Sequence, residues 1–258
     1  MSETLVVNEV YLSLQGESTF AGLPCIFVRL TACNLRCSYC DTAYAFTEGS
    51  KRTLTDIRGE IDRLAESYPV ASTPGMLPIV PLDGASGRHR LPLVEFTGGE
   101  PLLQPRAAGL MRDLCDAGYT VLVETSGAHD IGLLDRRVRC IMDLKSPSSG
   151  EVARNRWENL PLLKPTDEVK FVLGTWQDYE WMKGVLMDHR IHERCPVLVS
   201  WVAPLAPEQQ HPSLKSVPPG QVAISRMELA DQIIQDRLPV RFQLQMHKYV
   251  WAPEARGV

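Results

Sequence analysis

Short apolar, β-branched runs alternate along this chain with longer segments in which apolar residues recur at a helical period. Such runs, bounded by turn residues, predict buried strands, and the segments between them predict helices. The predicted strands are Cys25–Leu30, Leu93–Thr97, Tyr119–Glu124, Arg139–Leu144, Glu168–Leu173, Val197–Val202 and Arg241–Met246. The predicted helices lie near Thr55–Ser67, Gln104–Ala117, Gln177–Ile191 and Val222–Arg237. Leu5–Leu14 also alternates, which predicts an additional strand or hairpin. Strands that alternate with helices indicate an α/β fold with a mainly parallel sheet.

Two segments rich in proline and glycine interrupt the pattern, at residues 70–92 and 204–220. Structureless connections of this length are uncommon in compact domains, so we interpret both as loop insertions or functional covers. No segment has the composition of an interdomain linker. We therefore predict a single domain over residues 1–258.

Composition and charge narrow the classes of partner. The 258 residues are 44% hydrophobic, which is enough to bury a sizeable core, and the formal net charge is -4. This balance gives no electrostatic basis for binding nucleic acid or an anionic membrane. No apolar run approaches the ~20 residues that span a bilayer. The opening MSETLVVNEV lacks the basic region of a secretory signal, so we expect a cytoplasmic protein.

The seven cysteines fall into two groups. An odd count argues against a disulfide framework, and four cysteines stand singly in apolar surroundings as expected for buried hydrophobes. Cys33, Cys37 and Cys40 instead lie within eight residues, directly after a predicted strand. Thiolates suit iron–sulfur clusters, zinc and copper(I), and structural zinc usually takes four protein ligands. Three thiolates would leave one iron of a 4Fe–4S cluster open to a small molecule, and a zinc site completed by a distant residue is the alternative.

Further polar segments follow the next three predicted strands. They are Thr97–Pro101, Glu124–Gly127 and Asp143–Pro147. Ligands of parallel α/β sheets and barrels bind at the carboxyl ends of the strands, so these segments are expected to converge with the cysteines. The glycines of Thr97–Pro101 allow close approach to a ligand, and the carboxylate of Glu100 can accept hydrogen bonds from an ammonium group.

The CxxxCxxC spacing and the Gly-Gly-Glu-Pro segment together resemble the radical S-adenosylmethionine (SAM) superfamily. The resemblance implies a partial (βα) barrel and a 4Fe–4S cluster whose open iron is chelated by the amino and carboxylate groups of SAM. It also implies SAM contacts from residues within these polar segments, namely Tyr39, Cys40, Asp41, Gly99, Glu100, Ser126, Ser146, Pro147 and Ser148.

Matches that extend beyond these motifs resemble one family, 7-carboxy-7-deazaguanine synthase, over nearly the whole chain. They are Tyr11–Glu17, Phe27–Thr42, Glu124–Gly127, Asp143–Ser148, Glu168–Phe171, Leu244–Trp251 and Arg256–Val258. The resemblance implies ring contraction of 6-carboxy-5,6,7,8-tetrahydropterin to 7-carboxy-7-deazaguanine with loss of ammonia. A 5′-deoxyadenosyl radical removes the C6 hydrogen, and SAM is regenerated. An external electron donor and a homodimer are also implied.

The family resemblance assigns substrate contacts to Leu14, Gln15, Gly16, Glu17, Arg29, Thr97 and Val258. An amide at Gln15 can donate and accept, and the guanidinium of Arg29 suits a carboxylate. The resemblance also implies Mg²⁺ with Thr42 as its only side-chain ligand, since Mg²⁺ prefers oxygen and keeps several waters. Structural alternatives are a solvated turn for Gln15 and Glu17, an ion pair for Arg29, and a turn cap for Thr42.

Two other functions compete with this interpretation. An activating enzyme for a glycyl-radical protein has the same cysteine spacing, but it accommodates a protein loop as its substrate. A non-enzymatic iron–sulfur protein could retain the fold. The Gln15-Gly16-Glu17 and Asp41-Thr42 features favour a small pterin over either alternative.

Overall fold

A single nine-stranded sheet organises the part of the chain that the computed structural model describes, residues 3–68, 90–252 and 255–258. The strands are β1 (Thr4–Leu14), β2 (Pro24–Leu30), β3 (Ser50–Thr53), β4 (Leu93–Gly98), β5 (Val121–Thr125), β6 (Arg139–Leu144), β7 (Glu168–Leu173), β8 (Val197–Trp201) and β9 (Arg241–Gln243). Their order is β3-β1-β2-β4-β5-β6-β7-β8-β9. β1 pairs antiparallel with β2 and β3, and every pair from β2 to β9 is parallel. The predicted α/β fold with a mainly parallel sheet is confirmed.

Five α-helices accompany the sheet in the described residues: α1 (Leu54–Ala65), α2 (Arg106–Asp116), α3 (Trp176–Asp188), α4 (Arg226–Gln235) and α5 (His247–Val250). Side chains cap several of them where the sequence supplies a hydroxyl. Thr175 and Ser225 each form a capping box, with Asp178 and Glu228 respectively. Such caps satisfy backbone N–H groups that have no partner inside the helix. None of the described helices is long and apolar enough to cross a lipid bilayer.

The core lies mainly between the sheet and its helices, and a smaller apolar cluster fills one end of the sheet's concave face. Alternate positions of the parallel strands explain the division: Val94 and Phe96 pack towards the helices, whereas Leu93 joins the small cluster with Phe20 and Leu122. Because successive strand residues point to opposite faces, residues 95 and 97 share the concave face with Leu93. On this face of the sheet, the small apolar cluster at Leu93 therefore lies next to the polar residues Glu95 and Thr97.

Several predicted bounds differ from the observed ones. The last strand ends at Gln243, because the chain then turns into α5, which the sequence did not indicate. α4 begins at Arg226 because Ser225 caps it. β3 was also not predicted and exists by pairing with β1. Residues 204–220 run without regular structure apart from a 3-10 turn at Pro207–Gln209, while most of the predicted loop 70–92 lies outside the described residues.

Candidate active site

A cavity of about 610 Å³ opens at the carboxyl ends of the parallel strands. The parallel strands β2, β4, β5, β6 and β7 each contribute residues to the wall, as the parallel topology predicts. Of the predicted site residues, those lining this one cavity are Leu14, Gln15, Gly16, Glu17, Arg29, Cys33, Cys37, Tyr39, Cys40, Asp41, Thr42, Thr97, Gly99, Ser126 and Val258. Those outside its wall are Glu100, Ser146, Pro147 and Ser148.

The cysteine loop follows β2 and is held from two sides. Ser38 donates from its backbone N–H to the carbonyl of Ser149 at 3.1 Å and from its hydroxyl to the carbonyl of Ser148 at 2.7 Å. Arg36 donates its backbone N–H to Glu151 Oε1 at 2.7 Å. Ser148, which is 1% exposed, therefore anchors the cysteine loop from behind. The loop separates Ser148 from the cavity.

The three thiols fit an iron–sulfur cluster. All of them are free and line the same cavity, and the backbone N–H of Leu35 points at Cys33 Sγ at 3.4 Å. Among residues 3–68, 90–252 and 255–258, no three His, Cys, Asp or Glu side chains are placed around a single metal ion. In a 4Fe–4S cluster each thiolate binds a different iron, so the sulfurs need not converge on one point. Burial raises the pKa of Cys37 to about 12 and that of Cys40 to about 11, so the ligating irons must displace protons.

The Gly98–Gly99 pair brings β4 against the cysteine loop. Gly99 donates its N–H to the carbonyl of Leu30 at 3.0 Å, and Glu100 donates its N–H to the carbonyl of Ala32 at 2.8 Å. A Cβ on Gly99 would lie 2.0 Å from the Ala32 oxygen, so only glycine permits this approach. The two bonds fix the start of the cysteine loop at the cavity rim.

Glu100 lies behind the cavity wall, with its carboxylate bonded to neighbouring residues. It is fully buried, and its carboxylate accepts hydrogen bonds from Thr125 Oγ1 at 2.8 Å and from the N–H and hydroxyl of Ser126 at 2.8 and 2.5 Å. Leu102 N–H donates to it at 3.0 Å. In this arrangement Glu100 fixes Ser126, which itself lines the cavity.

A buried charge network forms the middle of the cavity wall. Lys170 Nζ lies 2.8 Å from Glu17 Oε2 and also donates to Glu124. Gln245 Nε2 donates to Glu17 Oε1 at 2.9 Å. Although burial opposes ionisation, the Lys170 ammonium lowers the pKa of Glu17 to about 2, so Glu17 is an anion at neutral pH. The solvated turn considered for Glu17 is not what the structure shows.

Gln15 is enclosed rather than solvated, with 3% of its surface exposed. Its Oε1 accepts from the backbone N–H of Glu17 at 2.5 Å, and its Nε2 donates to Glu95 Oε2 at 2.7 Å. Arg29 also has protein partners: its Nε pairs with Glu9 Oε1 at 2.6 Å and its Nη2 donates to the Tyr11 hydroxyl at 2.7 Å. Both residues still line the cavity, so each combines a structural bond with access to a ligand.

Thr42 lines the cavity and carries a hydroxyl oxygen that could bind a metal ion. It precedes a 3-10 turn at Ala43–Phe46, yet its side chain makes no capping hydrogen bond, which removes the simplest structural explanation. Its Oγ1 lies 3.8 Å from Cys40 Sγ. The neighbouring Asp41 is paired with Lys248 at 2.6 Å, and this ammonium lowers the pKa of Asp41 to about 2 despite burial.

The carboxyl terminus reaches the same cavity, where Val258 lines the wall. Arg256 fixes the tail, with its Nη1 2.7 Å from Glu48 Oε2 and its guanidinium carbon 3.9 Å from the centre of the Tyr44 ring. His247 also lines the cavity and lies against Gly16, where a Cβ would meet its Nδ1 at 2.5 Å.

Several charged wall residues on β4 to β7 or directly after β6 had no role assigned from the sequence, namely Glu95, Glu124, Asp143, Lys145 and Lys170. Lys145 Nζ pairs with Asp143 Oδ2 at 2.8 Å. A signal existed, because most of these charges stand inside or at the end of otherwise apolar predicted strands. Buried charges need partners, so charged residues on several parallel strands of one sheet indicate a polar interior site.

Comparison with known proteins agrees with this assembly, although no protein-family model matches the chain. It is 38% identical to the 7-carboxy-7-deazaguanine synthase of Koribacter versatilis over 253 residues, 98% of this chain and 99% of that protein. It is also 38% identical to that of Chlorobaculum tepidum over 257 residues, 98% of this chain and 97% of that protein.

Two solved structures share the fold. The crystal structure of QueE from Escherichia coli superposes with a TM-score of 0.64 at 18% identity, over 95% of each chain. Streptococcus suis SuiB bound to S-adenosylmethionine gives 0.52 at 11% identity, over 83% of this chain and 48% of that one. Since the whole-chain relatives are 38% identical and their family's motifs meet here around one cavity, the chain belongs to the 7-carboxy-7-deazaguanine synthase family.

Proposed function

We propose that this protein is a radical SAM enzyme that converts 6-carboxy-5,6,7,8-tetrahydropterin to 7-carboxy-7-deazaguanine with loss of ammonia. The observation that carries the proposal is a single cavity with three free thiols at its rim and a polar wall of amide, carboxylate and guanidinium groups below them. Membership of the synthase family supports the choice of reaction.

Cys33, Cys37 and Cys40 hold the 4Fe–4S cluster in this proposal. Bound SAM and the reduced cluster supply the 5′-deoxyadenosyl radical that starts the reaction. Tyr39, Asp41 and the Gly98–Gly99 backbone enclose the space beside the thiols, and the small apolar cluster below closes its far end. Such enclosure keeps water away from a reactive centre.

The substrate end of the cavity lies towards Gln15, Glu17 and Arg29. Gln15 and Glu17 offer hydrogen bonds to the nitrogen-rich edge of the pterin, and Arg29 faces its carboxylate. Thr97, Leu14 and Gly16 complete this wall, and Val258 covers it from the chain's end. Thr42 supplies a hydroxyl to Mg²⁺, with water and substrate oxygens as the remaining ligands.

The SAM contacts assigned to Glu100, Ser146, Pro147 and Ser148 act from behind the wall in this proposal. Glu100 orients Ser126, while Ser148 anchors the cysteine loop through Ser38. Ser146 is fully buried and donates to the carbonyl of Val172 at 2.8 Å. Glu100 and Ser148 thereby support the SAM site, and direct contacts of all four residues with SAM stay a prediction.

The test is anaerobic reconstitution with iron and sulfide, followed by reaction with SAM, dithionite, Mg²⁺ and 6-carboxy-tetrahydropterin. Mass analysis should find 7-carboxy-7-deazaguanine, with SAM not consumed in proportion to product. A Cys37→Ala variant should lose the visible absorbance of the cluster and all product. Cys115→Ala is the matched control, since Cys115 is buried on α2 away from the cavity. Cluster without turnover in the wild type would instead indicate a binding protein or an activator of another enzyme.

The electron donor, subunit arrangement and compartment are also proposals. We infer an external one-electron reductant such as a flavodoxin, a homodimer, and a cytoplasmic location, where thiols stay reduced. The free state of all described cysteines supports the last point. Light scattering of the purified protein would decide the subunit count, and reduction of the cluster by candidate flavodoxins would identify the donor.

A further inference from the structure

Several carboxylates crowd around one ammonium, Lys170, in the cavity wall, and Asp143 Oδ2 lies 4.0 Å from its Nζ. Glu17 and Glu124 both bond to Lys170, the first at 2.8 Å. Glu95 also lines the cavity but makes no bond to this ammonium; its Oε2 accepts from Gln15 Nε2 at 2.7 Å. One positive charge can compensate two carboxylates only in part, so a third ionised carboxylate here has no partner.

The surroundings of Glu95 favour its neutral form. It lies on β4 with 1% of its surface exposed. The titratable groups that face it come from five other parts of the chain: Tyr11 (β1), Glu17 (the loop after β1), Cys25 (β2), Glu124 (β5) and Lys170 (β7). Burial and the negative charge of Glu124 raise the pKa of Glu95 to about 8, so it keeps its proton at neutral pH.

The Gln15 amide is held in one orientation by two bonds. Its Oε1 accepts from Glu17 N–H at 2.5 Å, which obliges Nε2 to face Glu95. A primary amide has two N–H donors and two acceptor lone pairs. These two bonds use one N–H and one lone pair, which leaves the other N–H and the other lone pair of Gln15 for a ligand in the cavity that this residue lines.

We propose that Glu95 is a positioning residue for the substrate, which fixes the Gln15 amide so that its remaining N–H and lone pair meet a donor–acceptor edge of the pterin. The identity of this substrate rests on the proposed function. An ionised Glu95 would compete for Lys170 and repel Glu17 and Glu124. The contact by which Glu95 orients the Gln15 amide therefore loosens as pH rises above about 8.

The test compares wild type with Glu95→Gln and Glu95→Ala. Isothermal titration measures the Kd of 6-carboxy-tetrahydropterin at pH 7 and pH 9, and steady-state kinetics give KM and kcat on reconstituted enzyme. Glu95→Ala should raise Kd and KM about tenfold at pH 7, the effect of one hydrogen bond lost to a buried amide, with unchanged SAM affinity. Glu95→Gln should recover most of that loss, because its amide oxygen accepts the same bond. The wild type should weaken at pH 9, whereas Glu95→Gln should not.

Two results would overturn the role of Glu95. One is a Glu95→Gln variant that melts like wild type yet binds the pterin as poorly as Glu95→Ala. The other is the same weakening at pH 9 in Glu95→Gln as in wild type, which would assign the titration to another group. A wild type that binds the pterin but forms no 7-carboxy-7-deazaguanine overturns the proposed function and leaves the binding comparison valid. A wild type that does not bind the pterin overturns both.

Discussion

Replacing Gly99 with alanine should damage both stability and cluster assembly. The added Cβ would lie 2.0 Å from the Ala32 oxygen, 2.4 Å from its carbonyl carbon and 3.0 Å from the Cys33 nitrogen. Normal contact between such atoms is about 3.5 Å, so one backbone must move by roughly 1.5 Å. Ala32 already holds a left-handed φ of 79°, and the Gly99–Leu30 and Glu100–Ala32 hydrogen bonds resist separation.

The cost can be bounded from this geometry. Overpacking costs about 1–3 kcal/mol, and the upper value applies because the obstacle is backbone rather than a flexible side chain. We therefore expect the free energy of unfolding of the metal-free protein to fall by about 3 kcal/mol. The displaced atoms include Cys33, so iron bound per chain after reconstitution should also fall.

Urea unfolding followed by circular dichroism gives the first quantity, and iron analysis gives the second. Gly109→Ala is the matched control: Gly109 lies inside α2, and its Cβ would meet nothing within 4 Å. In a helix interior this change should stabilise by about 0.5–1 kcal/mol and leave iron binding intact. If Gly99→Ala matched this control in both measurements, the close approach of β4 to the cysteine loop would be refuted.

Three further variants and one pH series test other parts of the site. Thr42→Ala should reduce stimulation by Mg²⁺ while iron content stays normal, because a hydroxyl suits Mg²⁺ and not the cluster; unchanged stimulation in a Mg²⁺ titration would remove Thr42 from the metal site. Arg29→Lys should raise the substrate KM more than the SAM Kd, since an ammonium cannot reproduce a two-pronged contact, and equal losses would contradict a carboxylate role. Lys170→Met should lower the free energy of unfolding by about 3–5 kcal/mol, because it leaves the carboxylates of Glu17 and Glu124 without their partner. The partly exposed pair of Lys183 with Asp236 should contribute under about 1 kcal/mol in a matched Lys183→Met variant. The pKa of Glu17 falls from 4.5 to about 2 on folding, so ionised Glu17 stabilises the folded state above about pH 5, and this stabilisation is lost as pH falls towards 2. Acid unfolding midpoints of wild type and Glu17→Gln would measure this contribution. Coincident midpoints would show that Glu17 makes none.

The fold was largely predictable because its signal is local. Apolar runs of strand length separated by helical segments specify a parallel α/β sheet, and the strands β4 to β8 lie close to their predicted bounds. β3 and α5 were missed because neither has a periodic apolar pattern; β3 exists by pairing with β1, and α5 forms where the chain folds back over Gly16. Such elements depend on distant partners that a local pattern does not contain.

The functional site, like the fold, was predictable only in part from the sequence. The sequence alone identified the cysteine spacing, the glycine pair and the segments after each strand, since parallel strands bring their carboxyl ends to one edge. It did not separate every polar side chain of the cavity wall from those behind the wall. Glu100 and Glu95 lie five residues apart on and after one strand, yet Glu100 is sealed against Ser126 while Glu95 lines the cavity.

What the sequence determined was thus the set of reactive groups and the edge of the sheet on which they gather. What the tertiary structure decided was the pairing within that set: Lys170 between Glu17 and Glu124, Gln15 against Glu95, and Arg29 against Glu9. The physical reason is that a buried charge or amide takes its partner from whichever strand lies opposite. That depends on sheet register and curvature rather than on neighbouring residues.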